Sequence, residues 1–510
     1  MIGRYLPPMV GGLLLALSFP DYGFDVLVWA AFVPLLHSIH RAESPLKAAA
    51  VGGAFGFIFF LLNVGWIYRT VVTHGHFSQA PAVLLLVLMV CTLAVVPALF
   101  GLFTKLLAVY GWSIAFTAPI AWTALEYMRA VTFEGFPWDL TGYAVAERVL
   151  LIQMADITGV YGLSFVILLV NGAIWCALER PASCGAPTWR PLVAACSAVA
   201  AVLCYGLLRM PTFPEVGNPV GAVTVGVLQG NVPQDIKWQS SAREPTFAVY
   251  EQLAGEAVRA GAKLLIQPET SIPVTFGARY DSWERAWAIS EMIGVPMLVG
   301  AASIRRNGGR DRFFNSALLL EGRELRAVYD KIHLVPFGEY MPLSGLLPLG
   351  PGIAARDVDF TPGETMTVMA LPGVPPFSVL ICYEAIFPEL SRKALRNGAR
   401  MLVNITNDGW FGDSAAPYQH LGMSRLRAVE NRVWLIRCAN TGISAVYDSA
   451  GREVRSLGLN KRGYFTVDVP QAANYGSIYS EIGDVFAWVC VLATVCIAAE
   501  AYHRGERFIG

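Results

Sequence analysis

Roughly eight stretches of this chain are apolar enough, for long enough, to lie in a bilayer, and no other feature restricts its fold as much. They cover residues 6–20, 24–39, 48–68, 80–103, 107–127, 157–178, 191–208 and 485–502. A backbone in hydrocarbon must satisfy its own hydrogen bonds, so such stretches become helices. The first two are short, and Phe19-Pro20-Asp21-Tyr22-Gly23 between them reads as a tight turn. The first follows Arg4 as a signal peptide would, but more apolar segments come at once, so it reads as a retained span. Composition agrees: 55% of the 510 residues are hydrophobic and 15% charged. Mean hydropathy is +0.49, too high for a soluble chain. Basic and acidic residues balance at 38 each, which argues against a nucleic-acid partner.

Basic residues set the expected orientation. Arg4, Arg41, Lys47, Lys105, Arg180, Arg190, Arg504 and Arg507 mark one set of segment ends, with Arg69 and Arg129 on the other. If the richer side is cytoplasmic, both termini are cytoplasmic and residues 210–483 lie outside. An outer loop holds Phe133-Glu134-Gly135-Phe136-Pro137-Trp138-Asp139 and Tyr143, and Trp66 and Tyr68 end the third span on that face. These aromatics suit an aromatic belt at headgroup level or a wall facing acyl chains; both readings stand.

From about residue 221 the texture changes. Short apolar runs at 224–229, 264–267, 296–301, 314–321, 325–329, 377–381, 401–405, 433–438, 443–448 and 464–469 read as strands. Helical patterns at 244–260, 280–293, 389–399 and 417–431 alternate with them. Gly322 marks a hairpin. The pattern predicts an α/β domain of sheets covered by helices. The expected division is a transmembrane domain over 1–209, a catalytic domain over 220–472 and a last transmembrane helix over 484–503.

Three reactive side chains stand just past apolar strands: Glu269 after 264–268, Lys331 after 325–330 and Cys382 after 377–381. In α/β sheets the carboxyl ends of strands face the ligand crevice. Cys382 sits at a strand-to-helix turn, the place a nucleophile takes in hydrolase elbows. A cysteine taken alone is more often a buried structural group; its partners change that. A thiol with a reference pKa of about 8.5 needs help at neutral pH. A carboxylate can take its proton, and an ammonium can favour thiolate and hold an oxyanion. Of the nine cysteines only Cys382 and Cys438 fall in the long polar region, and no Cys/His spacing suits a metal or redox pair.

The words around these residues resemble the apolipoprotein N-acyltransferases of the nitrilase superfamily. They are Val227-Leu228-Gln229-Gly230-Asn231-Val232-Pro233-Gln234 with Lys237 and Trp238, and the run from Tyr329 to Pro342 through Lys331, His333, Gly338 and Glu339. Ile381-Cys382-Tyr383-Glu384, Asn404-Ile405-Thr406-Asn407-Asp408-Gly409-Trp410-Phe411-Gly412-Asp413 and Tyr418-Gln419-His420 complete them. The likeness extends over almost the whole chain. It implies a polytopic helical membrane domain with about eight spans and an extramembrane nitrilase-like α-β-β-α sandwich. It implies that Cys382 takes an acyl chain from a phospholipid as a thioester, which the amine of a diacylglyceryl-cysteine then attacks. Glu269 would be the base, Lys331 the oxyanion and thiolate stabiliser, and Glu339 a carboxylate holding Lys331. Tyr383, Glu384 and Trp238 gain importance by position. Trp138, Trp238, Trp410 and Phe411 would line the acyl path or form a lid. No cofactor or metal is implied. The partners are a phospholipid donor, a lipoprotein acceptor and a bacterial inner membrane, with the catalytic domain periplasmic and the chain monomeric.

Other readings remain beside these. Glu339 could be a solvated loop acid and Trp410 plain packing. His333 and His420 read as hydrogen-bonded structural groups, and Cys438 as a small buried hydrophobe that adds a second thiol near the site. Arg425, Arg427, Glu430 and Arg432 read as one ion-paired helix face. Gln267 stands where the family pattern leads one to expect Trp. A membrane-tethered amidase with water as acceptor is the alternative enzyme. A transporter or scaffold with a dead outer domain would call for buried intramembrane charges, of which Glu126 is the clearest.

Overall fold

The computed structural model describes residues 2–75, 77–132, 135–179, 189–213, 221–277, 283–307, 310–341, 359–471 and 476–509. Arg180, Cys184, Phe133, Glu134 and Pro342, the helix start at 280–282 and the domain limits at 220 and 472 fall outside them. The chain divides into two compact units, one of Met1–Tyr68, Gln79–Thr212 and Glu481–Gly510, the other of Arg69–Ser78 and Phe213–Ser480.

The first unit is helical. Among the described residues, five helices are long and apolar enough to cross a membrane: Pro45–Asn63, Gln79–Val109, Val160–Glu179, Arg190–Thr212 and Val485–His503. Leu6–Leu17 and Val33–Arg41 are shorter. The region expected as one span over 24–39 is a 3-10 turn at Asp25–Trp29 followed by the helix Val33–Arg41. The span expected over 48–68 ends at Asn63, and a separate helix Trp66–Thr73 follows. Without a hydrophobic drive inside lipid, small residues let helices approach. A Cβ on Gly101 would lie 2.2 Å from the Ala48 carbonyl oxygen, so the helices Pro45–Asn63 and Gln79–Val109 touch backbone to backbone. The Val160–Glu179 helix is mostly buried. Its Asn171 accepts from the Phe32 N–H at 2.9 Å and donates to the Val28 carbonyl at 2.9 Å. Glu126 is buried too, but its carboxylate accepts from the Thr141 N–H and hydroxyl, both at 2.7 Å, and so braces a loop.

The second unit has two six-stranded sheets. The strands are β1 Ala222–Gln229, β2 Leu264–Ile266, β3 Met297–Asn307, β4 Arg310–Glu321, β5 Glu324–Asp330 and β6 Met369–Leu371. They continue with β7 Val374–Ile381, β8 Met401–Thr406, β9 Trp434–Ala439, β10 Ser444–Tyr447, β11 Glu453–Leu457 and β12 Gly463–Pro470. One sheet runs β12-β1-β2-β3-β4-β5 and the other β11-β10-β9-β8-β7-β6. In each, three adjacent strands are parallel: β1, β2 and β3, then β7, β8 and β9. The sheets meet where β1 faces β9 and β4 faces β7. The helices Arg243–Arg259 and Glu284–Ile293 cover the first sheet, Pro388–Arg396 and Ala416–Asn431 the second. The result is the expected four-layer sandwich, helix-sheet-sheet-helix.

Of the ion-paired face expected from Arg425, Arg427, Glu430 and Arg432, one pair forms and the other two arginines bind backbone carbonyls. Arg427 and Glu430 pair at 3.0 Å with both side chains fully buried. Arg432 sits past the helix end at φ +53° and donates to the Ser449 carbonyl, while Arg425 donates to the Gly451 carbonyl. These arginines tie the helix to the loops at its base.

Candidate active site

Cys382 is the first residue beyond β7. Its φ is +52° and it is 6% exposed. A left-handed backbone at a residue with a side chain costs on the order of 1–3 kcal/mol, so neighbours must hold it. Glu384 is one of them. One carboxylate oxygen accepts from the Ile381 N–H at 2.7 Å. The other accepts from the Tyr329 hydroxyl at 2.8 Å and from the N–H groups of Ile332 and His333 at 2.7 and 3.1 Å. One side chain thus joins the strand end before the thiol to the loop that carries Lys331. Burial raises the Glu384 pKa to about 7 against the pull of those donors.

Lys331 follows β5 and is 1% exposed. Its Nζ lies 2.9 Å from Glu339 Oε2 and 3.7 Å from Glu269 Oε1. Burial alone would lower its pKa, but the charges of Glu339 and Glu269 raise it above the usual lysine value. Glu339 is held well: burial would raise its pKa, yet Lys331 keeps it below the ordinary carboxylate value. Its Oε2 also accepts from the Val335 N–H at 2.8 Å. Glu339 therefore faces Lys331 and is not a solvated loop acid. Glu269, just past β2, accepts from the Asn407 N–H at 3.0 Å. A Cβ on Gly300 of β3 would lie 2.5 Å from the Pro268 carbonyl oxygen and the Thr270 nitrogen, so only glycine lets the Glu269 turn pack there.

Asn315, in the middle of β4, escapes a reading of strand ends. Its Nδ2 donates to Glu269 Oε1 and to Glu339 Oε1, both at 2.7 Å. One amide thus spaces two carboxylates around one ammonium. The available signal was a polar Asn315-Ser316 pair set between the apolar runs Phe313-Phe314 and Ala317–Leu320. Lys237 is a second buried ammonium; it donates to the Thr270 hydroxyl at 2.7 Å and the Glu269 carbonyl at 3.2 Å, behind the acid.

The sulfur responds to all of this. Burial, then the Glu269 charge, raise the Cys382 pKa to about 12, although Lys331 pulls it down. The expected thiolate stabilisation by Lys331 does not prevail in the resting site, because the lysine is already neutralised by two acids. The thiol is thus held towards its protonated form.

The remaining residues divide. Tyr383 stacks edge-on against Phe387 at 5.0 Å and tilts over His333 at 5.8 Å. Trp238, beside Lys237, is 44% exposed. The Trp410 carbonyl accepts from the Thr70 hydroxyl at 2.9 Å and its ring meets His74 at 5.1 Å; Phe411 lies 6.5 Å from His420. Trp138 belongs to the helical unit, 1% exposed, between Trp66 and Phe136. Cys438 lies on β9 and donates to the carbonyls of Leu228 and Ile266 at 3.3 Å, and burial raises its pKa. It packs between the sheets, where burial disfavours its thiolate. Gln267 is also buried, and its N–H donates to the Leu298 carbonyl. Among the described residues, no group of three His, Cys, Asp or Glu side chains has the spacing of a metal site.

Comparison with known proteins gives two family matches. Residues 11–173 match the apolipoprotein N-acyltransferase N-terminal domain, and residues 224–475 match carbon-nitrogen hydrolase. The apolipoprotein N-acyltransferase of Geobacter metallireducens is 39% identical over 98% of this chain and 95% of that protein. The one from Methylococcus capsulatus is 33% identical over 90% of this chain and 88% of its own length. That from Bradyrhizobium diazoefficiens is 36% identical over 74% and 71%. Likeness of this extent, running through both the membrane helices and the two-sheet domain, makes the chain a member of the apolipoprotein N-acyltransferase family.

Proposed function

We propose that this protein transfers an acyl chain from a membrane phospholipid to the N-terminal amine of diacylglyceryl-cysteine in apolipoproteins, the last step of bacterial lipoprotein maturation. The observation that carries the mechanism is the buried cluster in which Lys331 lies within 4 Å of both Glu269 and Glu339 while both Glu269 and Lys331 act on the Cys382 sulfur.

Glu269 takes the thiol proton as Cys382 Sγ attacks the ester carbonyl of the donor. Lys331 stabilises the oxyanion of the tetrahedral intermediate; losing one such donor costs about 2.7–4 kcal/mol of barrier. Collapse breaks the ester C–O bond, and Glu269 returns the proton to the leaving alkoxide. A thioester and a lysophospholipid result. The acceptor amine then attacks the thioester, Glu269 takes its proton, and collapse expels the sulfur, which regains a proton. Two half-reactions on one nucleophile make the cycle ping-pong. Glu339 keeps Lys331 charged and in place. A buried site guards the thioester from water. Trp238, Trp410 and Phe411 are assigned to the acyl path. The protein works in the inner membrane with this domain on the periplasmic side.

The test is incubation of the full chain with phospholipid alone, followed by mass spectrometry. The expected result is an acyl adduct on Cys382 that a diacylglyceryl-cysteine peptide discharges and water does not. Discharge by water at a comparable rate would assign an amidase-like hydrolase instead. A Cys382→Ala protein that still acylates would remove the mechanism.

A further inference from the structure

A further carboxylate whose charge is felt at Cys382, Asp408, takes no part in the steps above. It is buried and its pKa is about 2: burial opposes its charge, but Arg437 and then His420 outweigh that. Its Oδ2 accepts from Arg437 Nη2 at 2.7 Å. Its Oδ1 accepts from the Thr406 hydroxyl at 3.0 Å and faces His420 Nδ1 at 3.2 Å. Two members of this group reach the nucleophile residue. His420 Nε2 lies 3.0 Å from the Cys382 carbonyl oxygen. The Thr406 hydroxyl is also near enough to the Cys382 sulfur to lower its pKa, since donation to the sulfur favours thiolate.

The chemistry of the imidazole fixes its role. A carbonyl only accepts, so Nε2 carries the proton. Nδ1 stands 3.2 Å from both Arg437 Nη2, which only donates, and Asp408 Oδ1, which only accepts. Nε2 is thus the donor to the Cys382 carbonyl, and the Asp408–Arg437 pair orients the ring from the Nδ1 side. Burial, then the Arg437 charge, lower the His420 pKa against the pull of Asp408. Asn404 adds a longer donor to the same carbonyl at 3.4 Å.

We infer that His420 and Thr406, set by the Asp408–Arg437 ion pair, are positioning residues: His420 holds the Cys382 carbonyl so that the left-handed turn persists, and Thr406 aims the sulfur. The Thr406 hydroxyl has one proton and two acceptors. While sulfur is a thiol, that proton goes to Asp408. When Glu269 has taken the thiol proton, the hydroxyl turns to the thiolate, and Arg437 still satisfies Asp408. The two ends of one residue, backbone and sulfur, thus answer to one buried ion pair on β9 and the turn after β8. The inference rests on reading Cys382 as the acyl-accepting nucleophile.

The experiment uses the full chain in detergent with mixed micelles of phosphatidylethanolamine and phosphatidylglycerol. Intact-protein mass spectrometry follows adduct formation on Cys382 against phospholipid concentration. His420→Leu is expected to slow the maximal rate about 100-fold, the size of effect that an ångström of misplacement produces. Its half-saturating phospholipid concentration stays at the wild-type value. His420→Gln, whose amide can still donate to the carbonyl and accept from Arg437, recovers most of the rate. A His420→Leu protein that forms adduct at the wild-type rate overturns the inference, and so does a folded His420→Gln protein as slow as His420→Leu. If His420→Leu does not fold, Thr406→Val and Thr406→Ser decide: slow Val with near-normal Ser supports it, equal rates overturn it. A wild-type chain that gains no adduct on Cys382 overturns the nucleophile reading itself, and is distinguished from the other failures by that control.

Discussion

Asn315 is where the site's electrostatics can be tested with least disturbance elsewhere. Hydrogen bonds to charged groups are worth about 1.5–3 kcal/mol. Asn315→Ala removes the donor shared by Glu269 and Glu339. At 1.4 kcal/mol per tenfold, kcat should fall about 10- to 100-fold, measured as acyl transfer to a diacylglyceryl peptide. Unchanged kcat would show that the two acids need no spacer. Glu384 offers a pH test. Its pKa is about 7 when folded, against 4.5 for a free side chain. Between those values the folded chain holds a proton that the unfolded chain has lost. The stability this gives is complete at low pH and is lost as pH rises from 4.5 towards 7, by roughly 3 kcal/mol at 1.36 kcal/mol per unit. Glu384→Gln does not titrate, so the wild-type advantage in Tm should shrink over that range; an advantage that widens would contradict the assignment. Glu269, Lys331 and Cys382 were legible in the sequence because each follows an apolar run whose end points to a crevice. The contacts of Asn315 and Lys237 were not: a polar pair within a strand and a lysine within a motif do not say which groups they will meet.

At the scale of elements, the long β3–β4 hairpin does more than its expected extent of 296–301 and 314–321 suggested. It presents Asn315 and Gly300 to the Glu269 turn from adjacent strands. Gly300→Ala puts a carbon against backbone atoms that cannot rotate away. Overpacking of this kind costs about 1–3 kcal/mol, and displacing the acid should lower kcat about 100-fold. Tm and kcat measured together check this; an alanine protein with normal kcat would mean that the turn can shift freely. Strand interiors were readable from apolar runs, but β6 and β11 were not. Both are edge strands: β6 is only three residues long, too short to show a period, and β11 is mostly exposed. Helix limits in the membrane unit were misplaced for a physical reason. Lys105 looked like the end of a span over 80–103, yet the helix Gln79–Val109 continues past it while Lys105 Nζ donates to the His40 carbonyl at 2.8 Å. A long amphipathic stem carries the charge to a partner without ending the helix. The true break is at Gly111, where φ is +84°.

For the whole molecule, the division into a membrane part and a two-sheet part was legible from texture alone, since periodicity changes at about residue 221. The orientation across the bilayer rests on charge. Lys47, in the first turn of the Pro45–Asn63 helix that Ser44 caps, is exposed and pairs with Glu43. Moving such charges across the bilayer is opposed at each basic end, which is why the charge count carries the proposed orientation. Arg69 stands against that rule, but it belongs to the two-sheet unit, where it donates to the Asp413 carbonyl at 3.1 Å. Arg69 therefore has a partner of its own, and Arg129, in the last turn of the helix Ile114–Val131, remains an exception. Lys461, exposed near the start of β12, should then lie on the opposite side of the membrane from Lys47. In cells with a permeabilised outer membrane, an impermeant maleimide should label Lys461→Cys before lysis and Lys47→Cys only after it, against the wild-type chain as background. Labelling in the reverse order would place the thiol chemistry on the cytoplasmic side, where no mature lipoprotein amine could reach it.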